Sequence, residues 1–385
     1  MSSCPYFKKC GACKYDLDDY TKSLDEKRKQ LSKLFTRERT IDLVPCETPY
    51  HYRHKVIFSF YKNQKREICA GLYQEESHKI IEIKDCLIQN EEANKLIKDI
   101  VKLANEFNLK VFDDRRGNGL LRHVLIRTSE ASRKVLLTFV LGEEVFPGSK
   151  NFIKALKDKH PEIIGIIFNY NKRFTSVVLG DKEKLVYGSY TLKDELGPFT
   201  FQIASKSFYQ VNPKMALKIY EDAIEAAKLR NSDVVLDAYS GTGTIALFAS
   251  RYAKEVVGVE VNKNAVKNAN ANKEFNNVEN VKFFASDVED YMINHKFDVV
   301  FTDPPRSGMT ESFINTLLKI KPRTIVYISC NPITMKRDLA HFSKDYFISS
   351  PRFYDQFAFT DHLEAMVTLN RKPLSRDSKN KYNKK

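Results

Sequence analysis

The sequence predicts an α/β protein whose C-terminal half is built on a parallel sheet and whose N-terminal half is an α+β region. Two observations lead to this. From Asn231 onward, short apolar runs alternate with helical stretches of about 10–15 residues, a rhythm typical of βαβ units. Between Tyr50 and Val186, strand-like apolar runs follow one another more closely, with two helical stretches among them.

The turn-forming segment 196–199 (LGPF) marks the change of rhythm and divides the chain. At roughly 100–200 residues per domain, a chain of 385 residues suits two or three regions. We therefore expect an N-terminal region at 1–195, a sheet-based domain at 196–371 and a basic disordered tail at 372–385. The last fifteen residues contain seven basic residues and one acidic residue, so they carry six of the fourteen net positive charges.

Composition excludes several classes of protein. No apolar stretch is long enough for a transmembrane helix, and the first residues have no apolar segment typical of a secretory signal. Seven cysteines in a chain of this length do not suit a secreted disulfide scaffold, so we expect the reducing cytoplasm. A net charge of +14 fits a partner that carries phosphates, but charge alone does not identify nucleic acid.

The N-terminal elements are predicted in chain order. A basic amphipathic helix is expected over 20–39, and further helices near 91–107 and 149–159. Strands are expected at VIFSFY, KIIEI, HVLIRT, KVLLTFVL, IIGIIFNY and TSVVLG. In the C-terminal half the expected strands are VVLDA, EVVGVE, VKFFA, DVVFT, TIVYIS and the closing AMVTLNR.

A small-molecule site is predicted where these C-terminal strands end. Gly241 and Gly243 follow the first strand and allow a ligand to approach the backbone at a helix start. Nineteen residues after Gly241, Glu260 ends the next strand, where a carboxylate can accept both ribose hydroxyls of an adenosine. Asp287 ends the third strand, well placed for an adenine amino group, and Asp303 ends the fourth before two prolines that stiffen the loop.

Two cofactors compete for this site. The spacing Gly241-x-Gly243-x-x-Ala246 formally fits a dinucleotide fingerprint, so NAD is an alternative. A stiff loop after Asp303 suits a planar base more than a nicotinamide, which favours S-adenosylmethionine.

Cys330 and Glu364 are the candidate reactive side chains. Cys330 ends the fifth strand beside Ser329 and Asn331, a polar turn where a thiolate of low pKa would be a nucleophile; an inert buried thiol is the alternative. Glu364 precedes the closing strand and is either a general base or a carboxylate without a chemical role.

The N-terminal cysteines form a second candidate site. Cys4, Cys10 and Cys13 lie within ten residues of one another, and Cys86 follows at a distance. Four thiolates suit zinc or an iron–sulfur cluster, and the spacing leaves both open. Cys46 and Cys69 are expected to be ordinary buried or half-buried thiols.

The motifs SFYQVNP (207–213), DAYSGTGT, GVE, DPPRSG, YISCNP and HLE together resemble the RNA uracil-C5 methyltransferases, in the order found in that family. The resemblance covers nearly the whole chain and implies a Rossmann-like class I methyltransferase sheet. It further implies S-adenosylmethionine contacts, a nucleophile at Cys330 and a base at Glu364. The chemistry of addition to uracil also calls for a group that holds the uracil edge, for which Asp303, Arg306 and Gln210 are the candidates. The implied cofactor contacts are Gln210, Tyr239, Glu260, Asp287 and Asp303, with Gly241 in the loop. The chain has Ser240 where many relatives have Cys, and Thr244 where Asn is common.

The same resemblance implies that Cys4, Cys10, Cys13 and Cys86 ligate a [4Fe–4S] cluster in an RNA-recognition region. Some relatives carry an RNA-binding barrel before the cluster; a start three residues before Cys4 leads us to expect none here. Bacterial members that act on uridine 54 of tRNA typically lack the cysteines, so a uridine of 23S rRNA is the favoured substrate. A catalytically silent iron–sulfur RNA-binding protein is the alternative of a different class, and Cys330 together with Glu364 argues against it.

Two basic segments are candidate RNA contacts. In the first, YHYRHK, the basic side chains of residues 51 and 53–55 alternate with tyrosines; the second is DRRGNGLLRH at 114–123. Both are also explained as ordinary surface turns. Nothing in the sequence suggests an obligate oligomer, so a monomer is expected.

Overall fold

The computed structural model describes residues 4–75, 77, 79–175 and 177–373. The chain folds into two compact units, each assembled from several segments. The first unit comprises 1–27, 46–217 and 356–361, and the second comprises 28–45, 218–355 and 362–385. The expected tail at 372–385 lies outside the described residues except for Lys372 and Pro373. Among the described residues, no helix has both the length and the apolar character needed to cross a membrane.

The helices are bounded as follows: α1 (Tyr20–Leu34), α2 (Glu91–Glu106), α3 (Ser149–Lys159), α4 (Pro213–Ala227), α5 (Thr244–Ser250), α6 (Lys263–Phe275), α7 (Val288–Met292), α8 (Glu311–Ile320) and α9 (Pro332–Leu339). A 3-10 turn follows α9 at Ala340–Phe342. The helices predicted near 91–107 and 149–159 are confirmed as α2 and α3, and the helix predicted over 20–39 is shorter, ending at Leu34.

The first unit holds a seven-stranded sheet and a hairpin. The strands, numbered along the whole chain, are β2 (Lys55–Lys62), β3 (Ile68–Tyr73), β4 (Ile80–Glu82), β5 (Leu121–Thr128), β6 (Val135–Leu141), β7 (Ile163–Tyr170), β8 (Lys182–Gly188), and the hairpin pair β9 (Thr191–Leu196) and β10 (Phe199–Ala204). The sheet order is β4-β3-β2-β5-β6-β7-β8, and every pair is antiparallel except β6 with β7. Leu136, Ile167 and Leu192 form a fully buried cluster in this unit.

One predicted strand of the first unit is wrong. TSVVLG (175–180) forms a loop in its described residues, with Ser176 outside them. The side-chain amide of Asn171 donates to the carbonyls of Val177 and Val178, at 2.8 and 3.0 Å, so these carbonyls are satisfied without a neighbouring strand. Apolar composition predicted a strand, but local side-chain hydrogen bonds can hold backbone groups in a loop.

The second unit is built on a nine-stranded mixed sheet. Its strands are β1 (Asp42–Val44), β11 (Val234–Ala238), β12 (Glu255–Glu260), β13 (Val281–Ala285), β14 (Val299–Thr302), β15 (Thr324–Ser329), β16 (Tyr346–Ile348), β17 (Arg352–Tyr354) and β18 (Glu364–Arg371). The order is β1-β17-β18-β15-β14-β11-β12-β13, and β16 pairs with β18. The five strands β11–β15 are parallel, as the alternating pattern predicted, and β18 joins them antiparallel to β15.

The parallel strands are added to the sheet on one side of β11 first and then on the other. From β11 the chain moves outward through β12 to β13, then returns to β14 on the other side of β11. At such a point, loops at the carboxyl ends of the two strands diverge and leave a crevice, the usual ligand site of open α/β sheets.

Candidate active site

The loop after β11 enters this crevice. Tyr239 adopts a φ of +63°, Gly241 of +53° and Gly243 of +82°. In the part of the chain that the structure describes, a Cβ on Gly241 would meet no atom within 4 Å, whereas a Cβ on Gly243 would lie 2.4 Å from the Phe283 ring. Gly243 is thus required for close packing of the loop on β13, while Gly241 borders open space that a ligand can fill. Tyr239 is half-buried; its ring packs edge-to-face against that of Phe313.

Glu260 ends β12 with its carboxylate turned toward this loop. One oxygen accepts from the Gly241 N–H at 3.1 Å and the other accepts from the Asn262 N–H at 2.8 Å. A carboxylate oxygen has two lone-pair sites, so each oxygen can still accept from a ligand hydroxyl. The observation fits the ribose contact predicted for Glu260.

Asp287, which follows β13, is the N-cap of α7. Its side chain accepts from the Glu289 N–H at 3.0 Å. A hydrogen bond with the Glu289 side chain lowers the pKa of Asp287, while burial raises the pKa of Glu289. Asp287 is exposed and charged at this edge of the sheet, where it can accept from an amino group of a ligand.

Asp303 follows β14 and lies near a second buried carboxyl, that of Asp237 in β11. Burial raises the pKa of Asp303 to about 7. Burial is also the main cause that raises the pKa of Asp237 to about 8, and the charges of Asp303 and Glu260 add to it. The Ala246 N–H donates to Asp237 at 2.9 Å and partly offsets this rise.

Asp237 was missed as a site residue in the sequence analysis. The signal was available: an acid sits inside the otherwise apolar run VVLDA. A carboxyl in a buried strand has to be paired, hydrogen-bonded or protonated, and here it is hydrogen-bonded and its proton is held more tightly than usual.

Cys330 and Glu364 are brought together by the antiparallel pairing of β15 with β18. Ser329 pairs with Ala365, so Cys330 and Glu364 occupy the next position of the two strands. Glu364 is buried, and burial together with the charge of Asp303 raises its pKa well above the ordinary value. The three side chains Asp303, Cys330 and Glu364 therefore belong to one cluster at the carboxyl edge of the sheet.

A thiolate of low pKa at Cys330 would be a nucleophile, but in this structure the pKa of the thiol is raised. Burial raises the pKa of Cys330, and the carboxyl groups of Glu364 and Asp303 raise it further, while Arg306 lowers it. The sequence placed Cys330 at a polar turn, but it did not reveal that the charges of Glu364 and Asp303 act on the sulfur.

Gln210 belongs to the first unit, whereas the other predicted cofactor contacts belong to the second. Its side-chain oxygen accepts from the Gln356 amide at 3.1 Å within the first unit. The amide oxygen of Gln356, Oε1, is buried and has no hydrogen-bond partner among the described residues.

The four cysteines predicted as metal ligands all lie in the first unit. Burial raises the pKa of Cys13 to about 12, and the charges of Cys86, Cys10 and Cys4 contribute to the rise. Within the described residues, no group of three or more His, Cys, Asp or Glu side chains is placed to hold a single metal ion. The thiols are thus close enough to affect one another's pKa, but the described residues do not have the geometry of a site for a single metal ion.

Local contacts fix the two segments that carry these cysteines. The Cys86 backbone is bracketed by the Asn94 amide, which accepts from its N–H at 3.2 Å and donates to its carbonyl at 2.9 Å. The Lys84 N–H donates to the Tyr6 hydroxyl at 3.2 Å, which ties the N-terminal segment to the Cys86 loop. Cys46 and Cys69 are buried, as predicted, and the Cys46 thiol donates to the Thr48 carbonyl at 3.3 Å.

The predicted RNA-contacting side chains divide into buried and exposed sets. Arg122 and His123 are buried in β5, where Arg122 donates to two backbone carbonyls at 2.9–3.1 Å; His54 is buried as well. These three side chains stabilise the fold and offer RNA no surface, contrary to expectation. Arg115 and Arg116 are exposed, as an RNA contact requires.

Comparison with known proteins identifies the class. The family model of tRNA (uracil-5-)-methyltransferases matches residues 19–294 and 287–372. An uncharacterized RNA methyltransferase of Clostridium acetobutylicum is 37% identical over 382 residues, covering 96% of this chain and 83% of that protein. One from Halalkalibacterium halodurans is 35% identical over 381 residues, with the same coverage.

Among solved structures, the tRNA (uracil-54, C5)-methyltransferase of Pyrococcus abyssi in complex with S-adenosyl-L-homocysteine is similar, with a TM-score of 0.78 and 26% identity. The match covers 91% of this chain and 83% of that one. The fold and the crevice therefore define an S-adenosylmethionine-dependent RNA methyltransferase with a class I methyltransferase sheet. More narrowly, the chain belongs to the tRNA (uracil-5-)-methyltransferase family.

Proposed function

We propose that the protein transfers a methyl group from S-adenosylmethionine to C5 of one uridine in 23S rRNA, through a covalent adduct between Cys330 and C6. The observation that carries the proposal is the grouping of Cys330, Glu364 and Asp303 at the carboxyl edge of one sheet. A thiol, a base and a third polar group at one point are what addition to a uracil ring followed by proton removal requires.

In the first half of the reaction, Cys330 acts as the nucleophile. The thiolate forms a bond to C6, and the electron pair of the C5–C6 double bond moves to C5 and the adjacent carbonyl oxygen. Burial raises the pKa of Asp303 to about 7, so its protonated form is present near neutral pH and can donate to the uracil edge and stabilise the enolate. Arg306, whose charge lowers the pKa of Cys330, favours the thiolate.

S-Adenosylmethionine supplies an electrophilic methyl group when it is bound. The side chains of the second unit proposed to bind it are those of Tyr239, Glu260, Asp287 and Asp303, together with the backbone at Gly241. The open space at Gly241 and the free lone pairs of Glu260 support this assignment.

In the second half, C5 carries both the new methyl group and its original proton. Glu364 removes that proton, the C5–C6 double bond re-forms, and the C6–sulfur bond breaks to return the thiolate. A buried carboxylate with a raised pKa is a stronger base than an exposed one, which suits Glu364 to this step. The uridine has to leave its stack to reach Cys330, which costs about a few kcal/mol unless it lies in a loop.

We also propose that Cys4, Cys10, Cys13 and Cys86 hold a [4Fe–4S] cluster that clips the N-terminal segment to the region where RNA docks. The mutual electrostatic effect of the thiols supports this, as does the charge of Arg53, which lowers the pKa of Cys13 and of Cys86. A four-iron cluster is larger than one ion, so its thiolates lie farther apart than those of a mononuclear site. The reaction needs no electron from it.

In this proposal, residues 1–195 recognise RNA and carry the cluster, and residues 196–371 transfer the methyl group. The protein acts as a monomer in the cytoplasm, where thiols stay reduced. Uridine 54 of tRNA is the second candidate substrate, favoured by the similarity to the archaeal enzyme that acts at that position.

The substrate is tested by mass mapping of 23S rRNA and tRNA from a strain that lacks the gene. Loss of one 5-methyluridine from 23S rRNA, restored by the wild-type gene and not by Cys330→Ala, is the expected result. Loss at position 54 of tRNA instead would select the second candidate. In vitro, 5-fluorouridine RNA should trap the wild-type protein covalently, and a stable adduct with Cys330→Ala would overturn the assignment of the nucleophile.

A further inference from the structure

We propose that Asp338 and Arg337, on the helix that follows Cys330, are positioning residues for methyl transfer. They hold the loop 304–309, which follows Asp303, in a fixed relation to the nucleophile. This inference rests on the proposed function because it takes Cys330 and Asp303 as the groups that act on the uracil ring. We call the two side chains and their partners the loop clamp.

Asp338 is the centre of the loop clamp. It is completely buried, and its Oδ2 accepts from the Met309 N–H at 2.9 Å and from the Tyr327 hydroxyl at 2.8 Å. Its Oδ1 accepts from Arg337 Nε at 2.8 Å and lies 2.7 Å from Nη2. One carboxylate thus joins α9, the end of the loop and the strand β15 that leads to Cys330.

Arg337 extends the clamp along the loop. Its Nη2 donates to the carbonyl of Ser307 at 2.9 Å and approaches that of Met309 at 3.4 Å. The guanidinium therefore bridges the Asp338 carboxylate and the loop backbone. Charge-assisted hydrogen bonds of this kind are stronger and more directional than those between neutral groups.

The start of α9 binds the same loop one residue after the nucleophile. Asn331 caps the helix with its side-chain oxygen, and its amide nitrogen donates to the carbonyl of Arg306 at 3.1 Å. Gly308 closes the arrangement: at its φ of +84°, a Cβ would lie 2.6 Å from Asp338 Oδ2 and 2.7 Å from Arg337 Nη2. The loop backbone thus fits directly onto the two charged side chains.

The loop clamp affects the reaction because it sets the relative position of Asp303 and Cys330. Asp303 precedes the clamped loop, and Cys330 lies between the clamped strand and the clamped helix. Both must contact the same uracil ring, and misplacement of a reacting group by about 1 Å can cost about 10²-fold in rate. A clamp between these two segments fixes the distance between the groups even though neither clamp residue contacts the ring.

A merely stabilising ion pair is the competing explanation, so the experiment uses a matched control. Asp338→Asn keeps the size of the side chain but places an amide N–H₂ among groups that all donate. Asp233→Asn is the control, because Asp233 is equally a buried acid of this unit, paired with Arg323 at 2.6 Å at the opposite edge of the sheet. Both variants and the wild-type protein are compared at a temperature where all three are folded.

Two readouts test the proposal. With 5-fluorouridine RNA, Asp338→Asn should form the covalent adduct about tenfold or more slowly than wild type, because Cys330 and the ring are no longer aligned. Its affinity for S-adenosylhomocysteine should change little, and Asp233→Asn should form adduct at the wild-type rate. Wild-type adduct kinetics in folded Asp338→Asn would overturn the proposal.

Hydrogen exchange gives a readout that does not depend on the proposed function. The peptide that contains Gly308 and Met309 should exchange faster in Asp338→Asn than in wild type, and should be unchanged in Asp233→Asn. Unchanged exchange in Asp338→Asn would overturn the clamp itself. If the wild-type protein forms no adduct but Asp338→Asn still exchanges faster than wild type, the proposed function is wrong while the loop clamp is supported.

Discussion

The Glu364 carboxyl lies near enough to the Cys330 thiol to raise the pKa of that thiol, although burial of the sulfur has the larger effect. The arrangement follows from the pairing of β15 with β18, which sets the end of one strand beside the start of the other. The proposed nucleophile and the proposed base are thereby held close together, and their negative charges, when both groups are ionised, disfavour each other.

Replacement of Glu364 by Gln should block proton removal from C5 while leaving formation of the Cys330 adduct intact. Without a base at C5, methyl turnover should fall by about 10²–10⁴-fold, while the Cys330 adduct still forms. With unmodified RNA and S-adenosylmethionine, a covalent protein–RNA species should therefore accumulate on a denaturing gel. Cys330→Ala is the control and should show no such band; rapid product release by Glu364→Gln would contradict the role of Glu364.

The same substitution should change the pH dependence of the thiol. Because the Glu364 carboxylate raises the pKa of Cys330, Glu364→Gln should shift the midpoint of Cys330 alkylation by iodoacetamide to lower pH. The rate is followed by mass spectrometry of the peptide that contains Cys330, in protein without RNA. An unchanged midpoint would mean that the two side chains do not interact.

Asp237 should make the ligand-free protein less stable as the pH rises. Its pKa is raised in the folded state, to about 8, so the folded protein holds a proton that the unfolded chain releases. Its contribution to stability is fully present below about pH 4 and is lost progressively as the pH rises toward 8. Asp237→Asn can still accept from the Ala246 N–H and removes this titration.

Asp237→Asn should therefore match wild type near pH 4 and exceed it at pH 8, with a gain on the order of a few kcal/mol in the free energy of unfolding. Urea unfolding at several pH values measures the difference. Asp233→Asn, which breaks the ion pair with Arg323, should be less stable than wild type at neutral pH. A constant difference between Asp237→Asn and wild type at all pH values would show that Asp237 is not the titrating group.

Much of the second unit could be predicted from the sequence because parallel strands are continuous apolar runs that end in polar residues. Glu260, Asp287 and Asp303 were found in this way, since side chains that follow parallel strands meet at one edge of a sheet. The alternation also gave β18 as the closing strand, and thus placed Glu364 near that edge.

The features that sequence did not reveal depend on partners distant in the chain. The raised pKa of Cys330 depends on burial of the sulfur and on the charges of Glu364 and Asp303, which are distant in sequence. The burial of Arg122 likewise depends on carbonyls of a loop about fifty residues away in sequence. TSVVLG has the composition of a strand, but the Asn171 amide satisfies its backbone locally. Composition describes a segment's preference, and such contacts override it.

Iron content should depend on the four proposed ligand cysteines and not on the other buried cysteines. Cys10→Ser should lose most of the iron of anaerobically purified protein, because one cluster ligand is missing, and should weaken RNA binding. Cys69→Ser is the matched control: Cys69 is a buried thiol near Tyr61 and Glu82 and should keep its iron. Iron analysis and visible absorbance measure occupancy, and stoichiometric zinc without iron in wild type would refute the proposed cluster.

Substitution by Ala should affect protein stability much more at Gly243 than at Gly241. Both have positive φ, so each Ala carries a backbone cost of about 1–2 kcal/mol. At Gly243 the new methyl group would also collide with the buried Phe283 ring, which packs against Gly258 as well and has little room to move. Gly243→Ala should therefore lower the melting temperature much more than Gly241→Ala.

For cofactor affinity we expect the reverse order: among folded protein, Gly241→Ala should lose more affinity than Gly243→Ala. The methyl group of Gly241→Ala points into the open space where we place S-adenosylmethionine, so this variant should bind S-adenosylhomocysteine at least tenfold more weakly, about 1.4 kcal/mol, with a modest loss of stability. Calorimetry measures the affinity and thermal unfolding the stability. Wild-type affinity in Gly241→Ala would mean that the cofactor does not occupy the space beside this loop.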